Sequence, residues 1–260
     1  MKIAVILKRV PDTASLIKIN PDGKSLALDG LKFVISPYDE HAVEQANLLK
    51  EAGGGVPEVI VVSTGGEECK ETLRVALAMG ADSGLLVKES RLANASSKNV
   101  AIALAAALKL VNPDLIFAGM KAIDDDASQV GERVAEILGI AHVSTITAFK
   151  LEDGKVSVTR EMEGGSASME VTLPALFTTQ KGLNAPRYPT LPNIMKAKKK
   201  EIKEMTLAEL GLTDAMVGSD LEICALELPP PRSAGKILQG DNTARVSQLV
   251  KALHEDHKTI

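Results

Sequence analysis

From residue 1 to residue 138 the chain alternates short β-branched apolar runs with longer segments of helical apolar spacing. This rhythm restricts the fold more than any other feature. Lys2–Val10 (KIAVILKRV) reads as a buried strand. Asp39–Ala52 carries Ala42, Val43, Ala46 and Leu49 on one helical face. Glu58–Ser63 is a second strand and Glu67–Met79 a helix. Gly84–Val87 is a strand, Ser97–Leu110 an Ala-rich helix, Asp114–Ala118 a strand and Gln129–Leu138 a helix. A strand–helix pair recurs roughly every 25–30 residues, the length a crossover between parallel strands needs. The expected class is α/β, a doubly wound, mostly parallel sheet with helices on both faces. With 45% hydrophobic residues, the chain can bury a core of that size. Ile17, Ile19, Leu26 and Leu28 flank the turn NPDGK and predict a hairpin.

The rhythm changes after Ile140. Residues 143–180 read as strand-rich, with turns at EDGK (152–155) and Gly164-Gly165. Residues 181–201 read as a loop rich in Pro and Lys. Residues 206–260 contain the stiff segment PPPR and an amphipathic helix near Thr243–Leu253. The expected organisation is an α/β nucleotide-binding domain over 1–225, with a strand-rich extension, and a C-terminal arm over 226–260. Such an arm either packs on a partner or extends its own domain.

Composition removes several function classes. A net charge of −4 argues against a general nucleic-acid binder. Cys69 and Cys224 have no metal-ligand spacing and suit a reducing, intracellular setting. His41, His142, His254 and His257 form no HExxH pattern; His254 and His257 read as a solvated helix end. No GxSxG or SxxK arrangement marks a self-contained catalytic site. The N-terminus lacks a signal-peptide cleavage pattern and AIALAAALKLV is too short and too Ala-rich to span a bilayer, so a cytoplasmic protein is expected. Aromatic residues make up only 2% of the chain, with no Trp. A flavin ring, if one is involved, is then held largely by something other than this chain.

Three strand-to-helix turns fall on the carboxyl edge expected to bind ligands. The most informative is GMKAIDDDASQVG, Gly119–Gly131. Gly119 permits a close backbone approach, and the helix start that follows favours an anion. Asp124, Asp125 and Asp126 oppose a phosphate, so they must turn away, cap the helix or accept from a sugar or base. An acidic helix start that only caps is the competing reading. STGGEE, Ser63–Glu68, and ISPYDEHA, Ile35–Ala42, are weaker candidates; Asp39 is there a plausible N-cap. In KGLNAPRYPTLPNIMKAKKK, Lys181–Lys200, the prolines pre-extend the chain. Leu191, Ile194 and Met195 stand among Lys196, Lys198, Lys199 and Lys200. An apolar anchor with a basic rim suits transient docking; equally, the leucine could join this chain's own core.

Together these segments resemble the beta subunit of electron-transfer flavoproteins. The resemblance rests on KRVPD (8–12), ETLRVALAMGAD (71–82), AIDDDASQVG (122–131), VTREMEGGSASMEVTLPAL (158–176) and NAPRYPTLPNIMKAKKK (184–200), and spans roughly residues 1–235. It implies an adenine nucleotide alpha hydrolase-like fold and a heterodimer with an alpha subunit that holds most of the redox-active FAD. It also implies AMP without a redox role in the beta subunit. Carried over by position, the nucleotide contacts are Ile6, Ser36, Pro37, Tyr38, Asp39, Thr64, Gly119, Met120, Lys121, Ala122, Ile123, Asp124, Asp125, Asp126, Ala127, Ser128, Gln129 and Val130. The recognition loop maps to 179–201, with Leu191 as its dehydrogenase anchor beside Pro192, Ile194, Met195 and Lys196. The implied role is electron carriage, not catalysis. Electrons come from flavin dehydrogenases such as the acyl-CoA dehydrogenases of fatty acid β-oxidation and pass to a membrane quinone oxidoreductase. Asp125 stands where electron-bifurcating members carry Gly in D-G-D-T, which points to the AMP-containing group. VPDT at Val10–Thr13 resembles bifurcating members, whose beta subunit holds a second FAD that oxidises NADH, and Val130 departs from the usual Thr. A stand-alone nucleotide-binding sensor is the rival from another class.

Overall fold

The structure is a computed structural model and describes all residues except 54–56, 153, 219, 233, 257 and 260. The expected EDGK turn therefore falls partly, at Asp153, outside the described residues, as does His257. The chain divides into two compact units, Met1–Lys18 with Leu26–Cys224, and Ile19–Ser25 with Ala225–Ile260.

The larger unit is built on a nine-stranded sheet. Its strands are β1 (Lys2–Ile6), β4 (Glu58–Gly65), β5 (Ser83–Lys88), β6 (Leu115–Gly119), β7 (Ala141–Glu152), β8 (Lys155–Met162), β9 (Gly165–Thr172), β10 (Ala175–Thr179) and β11 (Ile202–Met205). The order is β11-β5-β4-β1-β6-β10-β7-β8-β9. Every pairing from β11 to β7 is parallel, while β7-β8 and β8-β9 are antiparallel. The helices are α1 (Pro37–Ala52), α2 (Cys69–Met79), α3 (Ser97–Val111), α4 (Val130–Leu138), α5 (Leu191–Ala197) and α6 (Asp214–Val217).

Period-two alternation splits each central strand between two cores. In β1, Ile3 and Val5 join the layer that includes Val43 of α1 and Leu73 and Leu77 of α2. Ala4 and Ile6 join the layer of Leu104 and Leu108 of α3 and Val134 of α4. In β6, Leu115 and Phe117 face the first layer, Ile116 and Ala118 the second. Phe117, Phe149 and Phe177 meet with centroids 5.3–6.1 Å apart, which spends three of the four Phe on the core. Each fully buried side chain of this size contributes about 1.5–3 kcal/mol. The helices start and stop where the sequence provides: Ser96 Oγ accepts from Asn99 N–H at 3.4 Å to cap α3, and Asn112 ends it at φ +50°.

Two expectations are corrected and a third holds in reduced form. The strand read over Lys2–Val10 is two strands. β1 ends at Ile6, and β2 (Arg9–Pro11) pairs antiparallel with β3 (Phe33–Ile35) in a separate sheet. The break falls at Lys8, whose N–H and C=O bind Asp39 and Ser36 instead of a neighbouring strand. The loop read over 181–201 contains the helix α5, because Pro192 lies in its first turn, where no intrahelical N–H bond is lost. The hairpin around NPDGK is present only as a β-bridge at Ile19 and Leu26, with backbone bonds that include Asn20 N–H to Ser25 C=O, Gly23 N–H to Asn20 C=O and Ala27 N–H to Lys18 C=O.

In the smaller unit, Asp22 accepts from the N–H groups of Lys24 and Ser25. Leu226 N–H donates to Gly23 C=O at 2.7 Å. Asp241 caps α7 (Asn242–Lys251) through Ala244 N–H. No residue of α7 is buried, and Val246, Leu249 and Val250 stay exposed on one side. Among the described residues no helix is long and apolar enough to cross a membrane.

Candidate functional site

Parallel strands put all their carboxyl ends on one edge. From β1 the chain moves through β4 to β5 on one side and then crosses to β6 on the other. The strand order therefore reverses between β1 and β6, where open α/β sheets form a crevice. One residue sits across that point. Asp39 Oδ2 accepts from Lys8 N–H at 2.7 Å, just past β1, and Oδ1 accepts from Gly119 N–H at 2.8 Å, at the end of β6. Asp39 was expected as the N-cap of α1. The N-cap is Ser36, with no side-chain cap bond, and Asp39 is buried three residues later as a clasp.

Burial pushes the Asp39 carboxyl up to about 7, against the two N–H donors and the Lys8 charge, which pull it down. The unfolded chain releases this proton near 3.8. The contribution of the protonated clasp is thus complete below about 4 and lost as pH rises through about 7. Thermal unfolding between pH 4 and 8 should show wild type losing stability relative to Asp39→Asn as pH rises, by at most about 1.4 kcal/mol per pH unit. Parallel profiles would mean the folded carboxyl is already ionised at pH 5.

The other residues assigned by position gather on this same edge. Ile6 closes β1 with its side chain in the second core, and Thr64 lies near the end of β4. Ser36, Pro37 and Tyr38 start α1. Gly119, Met120, Lys121, Ala122, Ile123, Asp124, Asp125, Asp126, Ala127, Ser128, Gln129 and Val130 run from β6 into α4. Gly119 is needed for the packing of α1. A Cβ there would lie 2.4 Å from Asp39 Oδ1 and 2.8 Å from Tyr38 Cβ, so the close approach is made by α1.

The acidic triplet does not cap α4. Its N-cap is Gln129, with no side-chain cap bond, and Gln129 Oε1 instead accepts from the Arg133 guanidinium at 2.9 and 3.2 Å. Lys8 Nζ binds Asp124 Oδ1 at 2.8 Å and Asp125 Oδ2 at 2.9 Å, and Lys121 Nζ binds Asp126 Oδ2 at 2.9 Å. Burial pulls the Lys8 ammonium down, but the hydrogen bonds and charges of Asp124 and Asp125 outweigh it and leave it raised. Asp126 and Ser128 take φ +50° and +49°, left-handed backbone that Asp tolerates better than most residues. The result is a loop whose carboxylates are mostly neutralised, followed by a helix start whose N-cap side chain makes no cap bond. Lys8 was not singled out from the sequence. The signal was present in a charged residue ending an apolar strand at the switch point.

Ser63–Glu68 reaches the same edge. Ser63 Oγ donates to Leu7 C=O at 2.9 Å. Gly65 takes φ +139°, and a Cβ on it would meet Cys69 Sγ at 2.6 Å. Burial pushes the Cys69 thiol up to about 11, so it is not a nucleophile at neutral pH. Among the described residues no cluster of His, Cys, Asp or Glu could hold a metal ion.

The docking candidates form one surface. Leu191, Pro192, Ile194, Met195 and Lys196 all lie on α5 and all are exposed, Leu191 at 80%. The reading of Leu191 as a core residue is thereby excluded. Lys196, Lys198 and Lys199 are exposed, but Lys200 leaves the expected cluster. Its ammonium donates to the Leu77 and Ala81 carbonyls at the end of α2, which suits a cation at a helix C-terminus.

The sequence matches the electron transfer flavoprotein domain family over residues 25–210. It is 40% identical to the electron transfer flavoprotein subunit beta of Bacillus subtilis, over the full length of both chains. It is 43% identical to that of Syntrophomonas wolfei over 96% of this chain and 95% of the relative. With the mitochondrial subunit beta of Arabidopsis thaliana it shares 42% over 98% of each. A family match over most of the chain and full-length relatives far above 30% identity leave one conclusion: this chain belongs to the electron transfer flavoprotein family, among the sequences of its beta subunit.

Proposed function

We propose that the chain works beside an alpha subunit as the docking and nucleotide-binding half of a soluble electron carrier. FAD held mainly by that alpha subunit would supply the one- and two-electron chemistry, accepting from flavin dehydrogenases such as acyl-CoA dehydrogenases and delivering to a quinone oxidoreductase. The observation that carries this reading is α5, a short fastened helix that leaves Leu191 80% exposed above a rim of lysines. Exposed apolar anchors of this kind mark interaction sites, and exposed Lys196, Lys198 and Lys199 can steer encounter.

The β1–β6 crevice suits a structural AMP. The uncapped start of α4 favours a phosphate, while Lys8 and Lys121 offset the carboxylates that would repel it. The aromatic supply favours a flavin held elsewhere: three Phe pack in the core, Phe33 lies under the Arg9 guanidinium at 3.5 Å and Tyr188 is exposed before α5, which leaves only Tyr38 of α1 at the crevice. The uncovered apolar side of α7 supports a role for 226–260 as an arm on the alpha subunit.

A second reading, electron bifurcation with a second FAD here oxidising NADH, draws on Thr13 in VPDT. Nucleotide released by denaturing the purified heterodimer separates the two. One FAD and one AMP per heterodimer is the expected result; two FAD and no AMP would transfer the assignment to the bifurcating class.

A further inference from the structure

The segment that leads into α5 has no regular structure, yet it is held firmly. Asn184 Nδ2 donates to His41 C=O at 3.0 Å and Gln45 Oε1 at 3.2 Å, and its Oδ1 lies 3.0 Å from His41 Nδ1. Three residues later, Arg187 forks onto α1. Nε and an Nη of the guanidinium each lie 2.8 Å from one oxygen of Glu44, and the guanidinium also binds Glu51. The Glu44 side chain is only 5% exposed, so the pair is shielded from salt. The far end of α5 is fastened independently to α2, where the Arg74 guanidinium donates to the carbonyls of Ala197, at 2.7 Å, and Lys200.

This double mounting opposes a hydrophobic gradient. Leu191, Ile194 and Met195 are exposed on α5, and Tyr188 is exposed in a shallow groove it shares with Val75, an exposed apolar residue of α2. An unfastened segment would lower its free energy by folding these side chains onto the nearby apolar surface. We propose that Arg187 is a positioning residue for docking: its fork on Glu44 and Glu51 holds α5 in the geometry that a partner flavin dehydrogenase meets, so that Leu191 is presented before contact. The inference rests on the docking role given to α5 above. Arg is required because only a planar guanidinium reaches both oxygens of Glu44 and a second carboxylate together. Preorganisation of this kind acts on association, since it removes an ordering cost from binding, and leaves electron transfer within the bound complex untouched.

The test uses the whole heterodimer as the electron acceptor in steady-state assays with a flavin dehydrogenase. Arg187→Met alone would strand the buried Glu44 carboxylate, so the main variant combines Arg187→Met with Glu44→Gln. It is expected to raise the KM for the heterodimer about tenfold with kcat and flavin content unchanged. Arg187→Lys, which keeps the charge but not the fork, should recover part of that loss. An unchanged KM in the double variant, full recovery by Lys, or a loss confined to kcat or flavin content would overturn the proposal. Leu191→Ala is measured in parallel. If it raises KM and the Arg187 variants do not, only the positioning role fails. If it too leaves KM unchanged, the docking role of α5 fails and this inference with it.

Discussion

Gly119→Ala is expected to destabilise the chain by about 3 kcal/mol, the upper range for overpacking a close contact. The methyl would sit 2.4 Å from Asp39 Oδ1, 2.8 Å from Tyr38 Cβ and 2.9 Å from Asp39 N. Two of those three atoms belong to backbone or a backbone-bound carboxylate, so neither can rotate away. Relief requires the first turn of α1 to back off, and that movement breaks the Gly119 N–H bond to Asp39. The clasp between β1 and β6 would open from one side, and the crevice would lose its geometry along with stability. For a chain of this length the unfolding midpoint should fall on the order of 10 °C. Gly165→Ala is the control: no atom lies within 4 Å of its added Cβ, and the change should stay within about 0.5 kcal/mol. A Gly119→Ala protein as stable as the control would show that the approach of α1 is looser than described.

The second large effect is expected at Leu191. Truncation to Ala should leave the unfolding midpoint and flavin content as they are, because the side chain is 80% exposed and supports nothing beneath it. The loss should appear only against a partner. A leucine moved from water into a pocket contributes about 1.5–3 kcal/mol, so kcat/KM with a flavin dehydrogenase should fall about 10–100-fold. Unchanged reduction at heterodimer concentrations well below KM would remove Leu191 from the interface.

The parallel half of the sheet was legible because each strand is buried on both faces and written in β-branched residues. Val59, Val61 and Val62 left little room for another reading. β11 escaped because Ile202–Met205 follows four consecutive charged residues and has two charged residues of its own. Its place is set by parallel pairing with β5, a long-range term that local pattern does not contain. α5 escaped because proline density was read as extension, while Thr190 capping and the Arg74 and Arg187 contacts across more than 120 residues decide otherwise. At the crevice, the residue stretches were legible but their partners were not. The sequence placed three aspartates in a row; only the fold brings Lys8 to two of them across an ion pair 116 and 117 residues apart in sequence.

The place of β10 has a consequence for how the chain is made. It lies between β6 and β7, although β7, β8 and β9 precede it on the ribosome. The nascent domain therefore carries two raw strand edges, those of Leu115–Gly119 and Ala141–Glu152, until residue 179 has been synthesised. The wedge that joins them, ALFTT, is buried along its whole length. Closure of the two halves waits on a late insertion with high sequence separation, a slow event that leaves sticky edges open to neighbouring chains. Deletions that shorten the chain before this strand should accumulate as aggregates rather than as a smaller folded protein.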